Sequence, residues 1–131
     1  MSAKRQTISS GAPWESIVGY CRAVRIGQLI EVSGCAPVED GQVYAPGDMA
    51  AQTEKCLQII QTALTNAGAS LSDVVRTRMY VTDISQWEAA GRVHGKYFGD
   101  IRPASTMVEV SGLVDPDMLV EIEATAVVEN S

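Results

Sequence analysis

From Val120 to Ala126 apolar and polar residues alternate without a break. Val120, Ile122, Ala124 and Ala126 fall on one side of an extended chain and Glu121 and Glu123 on the other. Such a run has one face to bury, so the chain must build a sheet and a second layer to cover it. The two carboxylates on the opposite side make that face either a salt-bridged surface or the wall of a pocket.

Val74 to Thr82 repeats the pattern, with Val75, Thr77, Met79 and Val81 expected on one side and Arg76, Arg78 and Tyr80 on the other. Ile17 to Arg25 and Gln28 to Gly34 read as strands turning at Ile26-Gly27, and Ala104 to Ser111 and Met118 to Val128 as the last two strands. Cys35 to Asp48, with Pro37, Gly41, Pro46 and Gly47, is a loop by composition. Asp48 is placed to cap a helix running to about Ala67, whose Cys56, Leu57, Ile60, Ala63 and Leu64 recur at helical spacing before Gly68. Ser85 and Glu88 match a capping box for a second helix that ends near Phe98, at Gly99.

The order strand-strand-helix-strand-helix-strand-strand predicts antiparallel hairpins at both ends with crossover units between them. The fold class is therefore α+β: a two-layer sandwich, with a mixed sheet and both helices on one face. The other face has no cover within the chain, and oligomerisation is the obvious way to supply one. Residues 1–131 are expected to form one domain, since no linker divides them and the length suffices for a core.

A net charge of −6 argues against nucleic acid as a partner, because phosphate binding needs clustered Lys and Arg. No run approaches the roughly 18 apolar residues of a membrane span, and the N-terminal segment lacks the apolar stretch of a signal peptide. Cys21, Cys35 and Cys56 fit neither a disulfide framework nor a metal-binding spacing, so a reducing cytoplasm is the expected location. His94 is the one histidine and has no partner at ligand spacing. No metal and no cofactor are expected, and the plain reading of His94 is a packed or interface residue. A triad of Ser33, His94 and an aspartate has no support in the spacing.

The acids and arginines remain. Glu121 and Glu123 share one strand face and Arg76 and Arg78 another, so cross-strand ion pairs compete with a functional role. The functional alternative is a buried carboxylate of raised pKa that holds or activates a water. Arg102, just before Pro103, is placed to bind a substrate carboxylate.

Three segments in order carry a family resemblance. They are Leu29-Ile30-Glu31-Val32-Ser33-Gly34 downstream of Tyr20, then Arg102-Pro103-Ala104-Ser105-Thr106-Met107-Val108-Glu109-Val110, then Val120-Glu121-Ile122-Glu123-Ala124. From about Tyr20 to Val128 the chain resembles the RidA/YjgF/RutC-like family, also labelled endoribonuclease L-PSP-like. The resemblance implies a homotrimer of chorismate-mutase-like α+β protomers with small-ligand clefts between subunits. It also implies hydrolysis of reactive imines or enamines to keto acids and ammonia. Glu121 takes the part of the acid that positions water, Tyr20 that of a pocket wall, and Ser33-Gly34 that of a strand end lining the cleft.

One position departs from the family. Members with that activity carry Pro-Ala-Arg-Ser where this chain has Pro103-Ala104-Ser105-Thr106. Ser105 offers one neutral hydrogen bond in place of two charge-assisted ones, so activity on 2-imino acids is expected to be weak or absent. Either Arg102 reaches the same cleft, or the substrate lacks a carboxylate and Ser105 or Thr106 meets an amide or carbonyl, beside a soft, apolar Met107. The readings in competition are a small-molecule hydrolase, a ligand-binding trimer without turnover (a sensor or scavenger), and last an endoribonuclease or translation inhibitor. The chain does not name the substrate.

Overall fold

The computed structural model describes residues 4–129. In chain order these form β1 (Arg5–Ile8), α1 (Pro13–Val18), β2 (Ala23–Ile26), β3 (Leu29–Cys35), β4 (Val38–Glu39), β5 (Gln42–Val43), α2 (Met49–Asn66), β6 (Val74–Val81), α3 (Trp87–Phe98), β7 (Ala104–Glu109) and β8 (Val120–Val127). One sheet takes the order β1-β2-β3-β8-β6-β7; its neighbours are antiparallel except for parallel β6 and β7. Helix α2 lies against β3 and β8, and α3 packs beside α2. This is the expected α+β arrangement of a mixed sheet with helices on one face.

The alternation in β8 holds residue for residue. Val120, Ile122, Ala124 and Ala126 are buried, and they meet Leu57, Ile60 and Leu64 of α2 in one core with Ile30, Val32, Met79, Val81 and Phe98. Burying one of the larger of these, a valine, leucine, isoleucine, methionine or phenylalanine, contributes about 1.5–3 kcal/mol. Asp48 caps α2 as expected, accepting from the Ala51 amide at 3.0 Å.

Several expectations are corrected. Ile17 and Val18 end a helix and do not begin a strand. Pro13 sits at the first helical position, and Gly19, at φ 89°, closes α1 by donating its N–H to the Glu15 carbonyl. These local signals outweigh the β preference of Ile17 and Val18. β1, not anticipated, adds an edge strand to β2. The β2–β3 hairpin turns at Gly27-Gln28, one residue later than expected, with Gly27 at φ 61°. The loop from Cys35 to Asp48 holds the small β4–β5 ladder.

β7 and β8 are not a hairpin, because β6 lies between them and pairs with both. A bulge between Val74 and Arg76 turns Val75 outward, leaving it 47 % exposed. Nor does Ser85 cap α3. Asp83 accepts from the Ser85 amide at 3.0 Å and starts a short 3-10 turn that leads into the helix, while Glu88 pairs with Arg92 one turn on.

The helix-free face of the sheet is mixed. Ile26, Leu29, Val75 and Val127 are exposed toward one end. Arg78, Tyr80, Glu121 and Glu123 occupy the other.

Candidate functional site

The site grows from an irregularity in β3. Val32 pairs with Ala124 and Cys35 with Ile122, so β3 uses one residue more than β8 over the same span. The extra residue makes Ser33-Gly34 a bulge, which returns Cys35 to the core and lifts the Gly34 backbone beneath Glu121. A Cβ at Gly34 would collide with Glu121 Oε2 and stand 3.0 Å from its Cδ. The carboxylate therefore lies across a glycine because only glycine leaves the space.

Glu121 is half-buried, and burial is the main cause pushing its carboxyl above the ordinary range for glutamate. Nearby Arg22 opposes this rise and the like charge of Glu123 adds to it. The two acids differ in their surroundings. Glu123 accepts from the Tyr80 hydroxyl at 2.8 Å and faces Arg78 Nε at 3.7 Å across β6, the geometry of a structural acid.

Arg22, which the sequence reading passed over, holds the bulge from the side. The residue is buried, with 8 % exposure. Nη1 donates to the Gly34 carbonyl at 2.6 Å, to the Ser33 carbonyl at 3.4 Å and to Cys35 Sγ at 3.4 Å. Nη2 reaches the Tyr20 hydroxyl at 3.5 Å, and the guanidinium stands 5.7 Å from the Tyr20 ring centre. The one hint in the sequence was an arginine set between apolar neighbours two residues after Tyr20. Arg22→Met leaves the Gly34 carbonyl without its donor and is expected to lower stability by about 2 kcal/mol, read as an earlier urea midpoint.

Tyr20, Ser33, Gly34 and Glu121 thus gather at one place. The Ser33 hydroxyl is committed, donating to the Cys21 carbonyl at 2.7 Å. Burial pushes the Cys35 thiol up to about 11, so it stays protonated and inert.

Ser105, Met107 and Arg102 lie elsewhere in the chain. Ser105 is level with buried Thr77, and Met107 with buried Met79, so both point to the helix side of β7 while Glu121 points away from it. Met107 packs partly on the core. Arg102, at φ 55°, closes the end of α3: its amide donates to the Phe98 carbonyl at 2.8 Å and its Nε to the Gly99 carbonyl at 3.1 Å. Arg76 donates to Thr106 at 2.7 Å and pairs with no acid among the described residues.

His94 is packed, as its plain reading held. Nε2 lies 2.8 Å from Thr77 Oγ1, the ring stands 4.7 Å from that of Phe98, and burial lowers its pKa. It makes no triad with Ser33, whose hydroxyl is bound to Cys21. Among the described residues no three His, Cys, Asp or Glu side chains cluster to hold a metal, and no helix is long and apolar enough to cross a membrane. A cavity of about 450 Å³ opens between the end of β1 and α2, lined in part by Ser9, Ser10, Arg22, Lys55 and Asn66; Glu121 is not among its walls.

The family model described as "Endoribonuclease L-PSP" matches residues 10–128. The crystal structure of Rv2704 from Mycobacterium tuberculosis, a member of the YjgF/YER057c/UK114 family, superposes with a TM-score of 0.88 at 54% identity, covering 95% of this chain and 100% of that one. A RutC family protein of Pyrococcus abyssi is 37% identical, with 95% of this chain and 97% of the relative covered. The 3-aminoacrylate deaminase RutC of Acinetobacter baylyi is also 37% identical, with 94% and 97% covered.

Proposed function

The chain belongs to the endoribonuclease L-PSP family, the RidA/YjgF/RutC-like proteins, and on that premise we propose that it is a small-molecule hydrolase of the imine or enamine deaminase kind. The observation that carries the reading is the Glu121 carboxylate, half-buried, raised in pKa and laid over a residue with no side chain. A carboxylate so placed has the basicity to orient a water and take its proton. Water adds to the C=N carbon, the proton passes by way of Glu121 to nitrogen, and collapse of the carbinolamine releases ammonia and leaves a carbonyl. The relative named as a 3-aminoacrylate deaminase supports this class of reaction.

The working unit is a homotrimer with the ligand between subunits. Its support is the division of the site: Glu121, with Gly34 beneath it and Tyr20 and Ser33 joined to Gly34 through Arg22, lies on the helix-free side of the sheet, and Ser105 and Met107 lie on the other. A cleft that uses both groups draws them from two copies. The RNA-cleaving role in the family's label has less support, since the net charge is −6 and the one histidine is held by Thr77.

Ammonia release from a panel of imines and enamines, with and without carboxylates, tests the proposal. Release above a protein-free control from at least one member is expected, with 2-imino acids among the poorest because Ser105 stands in the arginine's place. No release from any member overturns the hydrolase and favours a ligand-binding trimer. Rapid hydrolysis of 2-imino acids overturns the ranking.

A further inference from the structure

Ser105 is not an isolated hydroxyl. It lies exposed on the edge strand β7, 2.8 Å from the Oγ1 of Thr77, which is fully buried and in turn 2.8 Å from His94 Nε2. Three elements, β7, β6 and α3, thus supply one continuous chain from the surface to the sole histidine.

The direction of that chain follows from proton counting. Thr77 has one hydroxyl proton and donates it to Ser105. Its contact with His94 must then be one in which Thr77 accepts, so Nε2 carries a proton. Burial lowers the imidazole pKa, so the ring is neutral and Nδ1 is bare. Ser105 accepts from Thr77, and its own proton is left to point outward. Each donor polarises the next, so the exposed O–H is a better donor than a lone serine.

We propose that Ser105, Thr77 and His94 act as a donor chain that makes position 105 a subsite for an uncharged carbonyl or amide oxygen of the ligand. This rests on the reading above that the ligand meets β7. Ser105 is the specificity-determining contact, and Thr77 and His94 are positioning residues. The neighbouring arginines are directed elsewhere: Arg76 donates to Thr106, which alternates with Ser105 onto the other face of β7, and Arg102 turns its Nε back onto the Gly99 carbonyl at the end of α3. A single neutral donor in a protein of charge −6 discriminates poorly in favour of an anion.

The test uses two probes of the same shape, 2-oxopropanamide and 2-oxopropanoate, whose binding to the intact protein is followed by NMR titration without any turnover. The amide is expected to bind roughly tenfold more tightly than the acid. Ser105→Ala and Thr77→Val each lose about tenfold in amide affinity, the worth of one hydrogen bond. Thr77→Ser, which keeps the hydroxyl, restores it, and Ser105→Arg reverses the preference toward the acid. In the parent protein the amide also shifts the His94 Nε2–H resonance, and in Thr77→Val it does not.

Equal binding of the two probes, binding of neither at millimolar concentration, or undiminished amide affinity in folded Thr77→Val overturns the proposal. A Nδ1-protonated tautomer of His94 overturns it as well. Binding without ammonia release leaves this inference standing while the hydrolase reading falls; ammonia release with equal binding of the probes does the reverse.

Discussion

Glu121→Gln is expected to reduce turnover by about 100- to 10,000-fold while ligand affinity changes by only a few fold. The amide keeps the shape over Gly34 and loses the ability to accept a proton, so the loss falls on kcat. In the parent protein activity should rise with pH through a group titrating above an ordinary glutamate, because burial disfavours the charged carboxylate that the chemistry needs. Glu123→Gln removes the like charge beside it and should move that acidic limb to lower pH.

Stability should run in the opposite sense to activity. A folded-state pKa above the unfolded one means that Glu121 favours folding while protonated. That contribution is fully present below the unfolded value and is lost as pH rises through the folded one. At neutral pH the ionised group is a net burden, so Glu121→Gln should melt at a higher temperature than the parent, with the gap closing below about pH 4. A variant that loses activity and gains no stability at neutral pH contradicts this reading of the burial.

Gly34→Ala should lower turnover about 100-fold with little loss of stability. The backbone at Gly34 is not in the left-handed region, so alanine fits its conformation. The added methyl meets the far end of the Glu121 side chain, which swings away readily, and a displacement of that size is enough to spoil alignment for proton transfer. Stability should therefore change by less than about 1 kcal/mol. In a Glu121→Gln background the same substitution should have little further effect, because both changes remove one function. Steady-state kinetics on the single and double variants, with melting curves alongside, decide it; a folded Gly34→Ala protein with full activity rules out the placement of the carboxylate.

What could be read from the sequence was what neighbours in sequence decide. The faces of β8 follow from strict alternation and the start of α2 from Asp48, whose partner is the Ala51 amide three residues on. Where two local signals competed, the reading failed. At Ser85-Glu88 a capping pattern lost to Asp83 just upstream, and at Ile17-Val18 β-branched residues lost to Pro13 and Gly19. The position of β6 between β7 and β8 depends on which strand reaches the sheet, which no short pattern encodes. Glu121 was legible as a candidate because its type and face were. Arg22 was not, since its acceptors at Gly34 and Cys35 lie on the neighbouring strand. The partnership of Ser105 with Thr77 and His94 joins three elements and appears only once they are packed.

The overlap of Glu121 with the space above Gly34 also bears on how this protein can change over descent. Positions 34 and 121 share one volume of space. A lineage that places a side chain at 34 must first shorten or redirect the acid at 121, and one that gives up the acid frees 34 to drift. Across related chains, glycine at the first position and glutamate at the second are expected to be kept or lost together, so the pair can mark which members retain the water-handling chemistry and which have turned to binding alone.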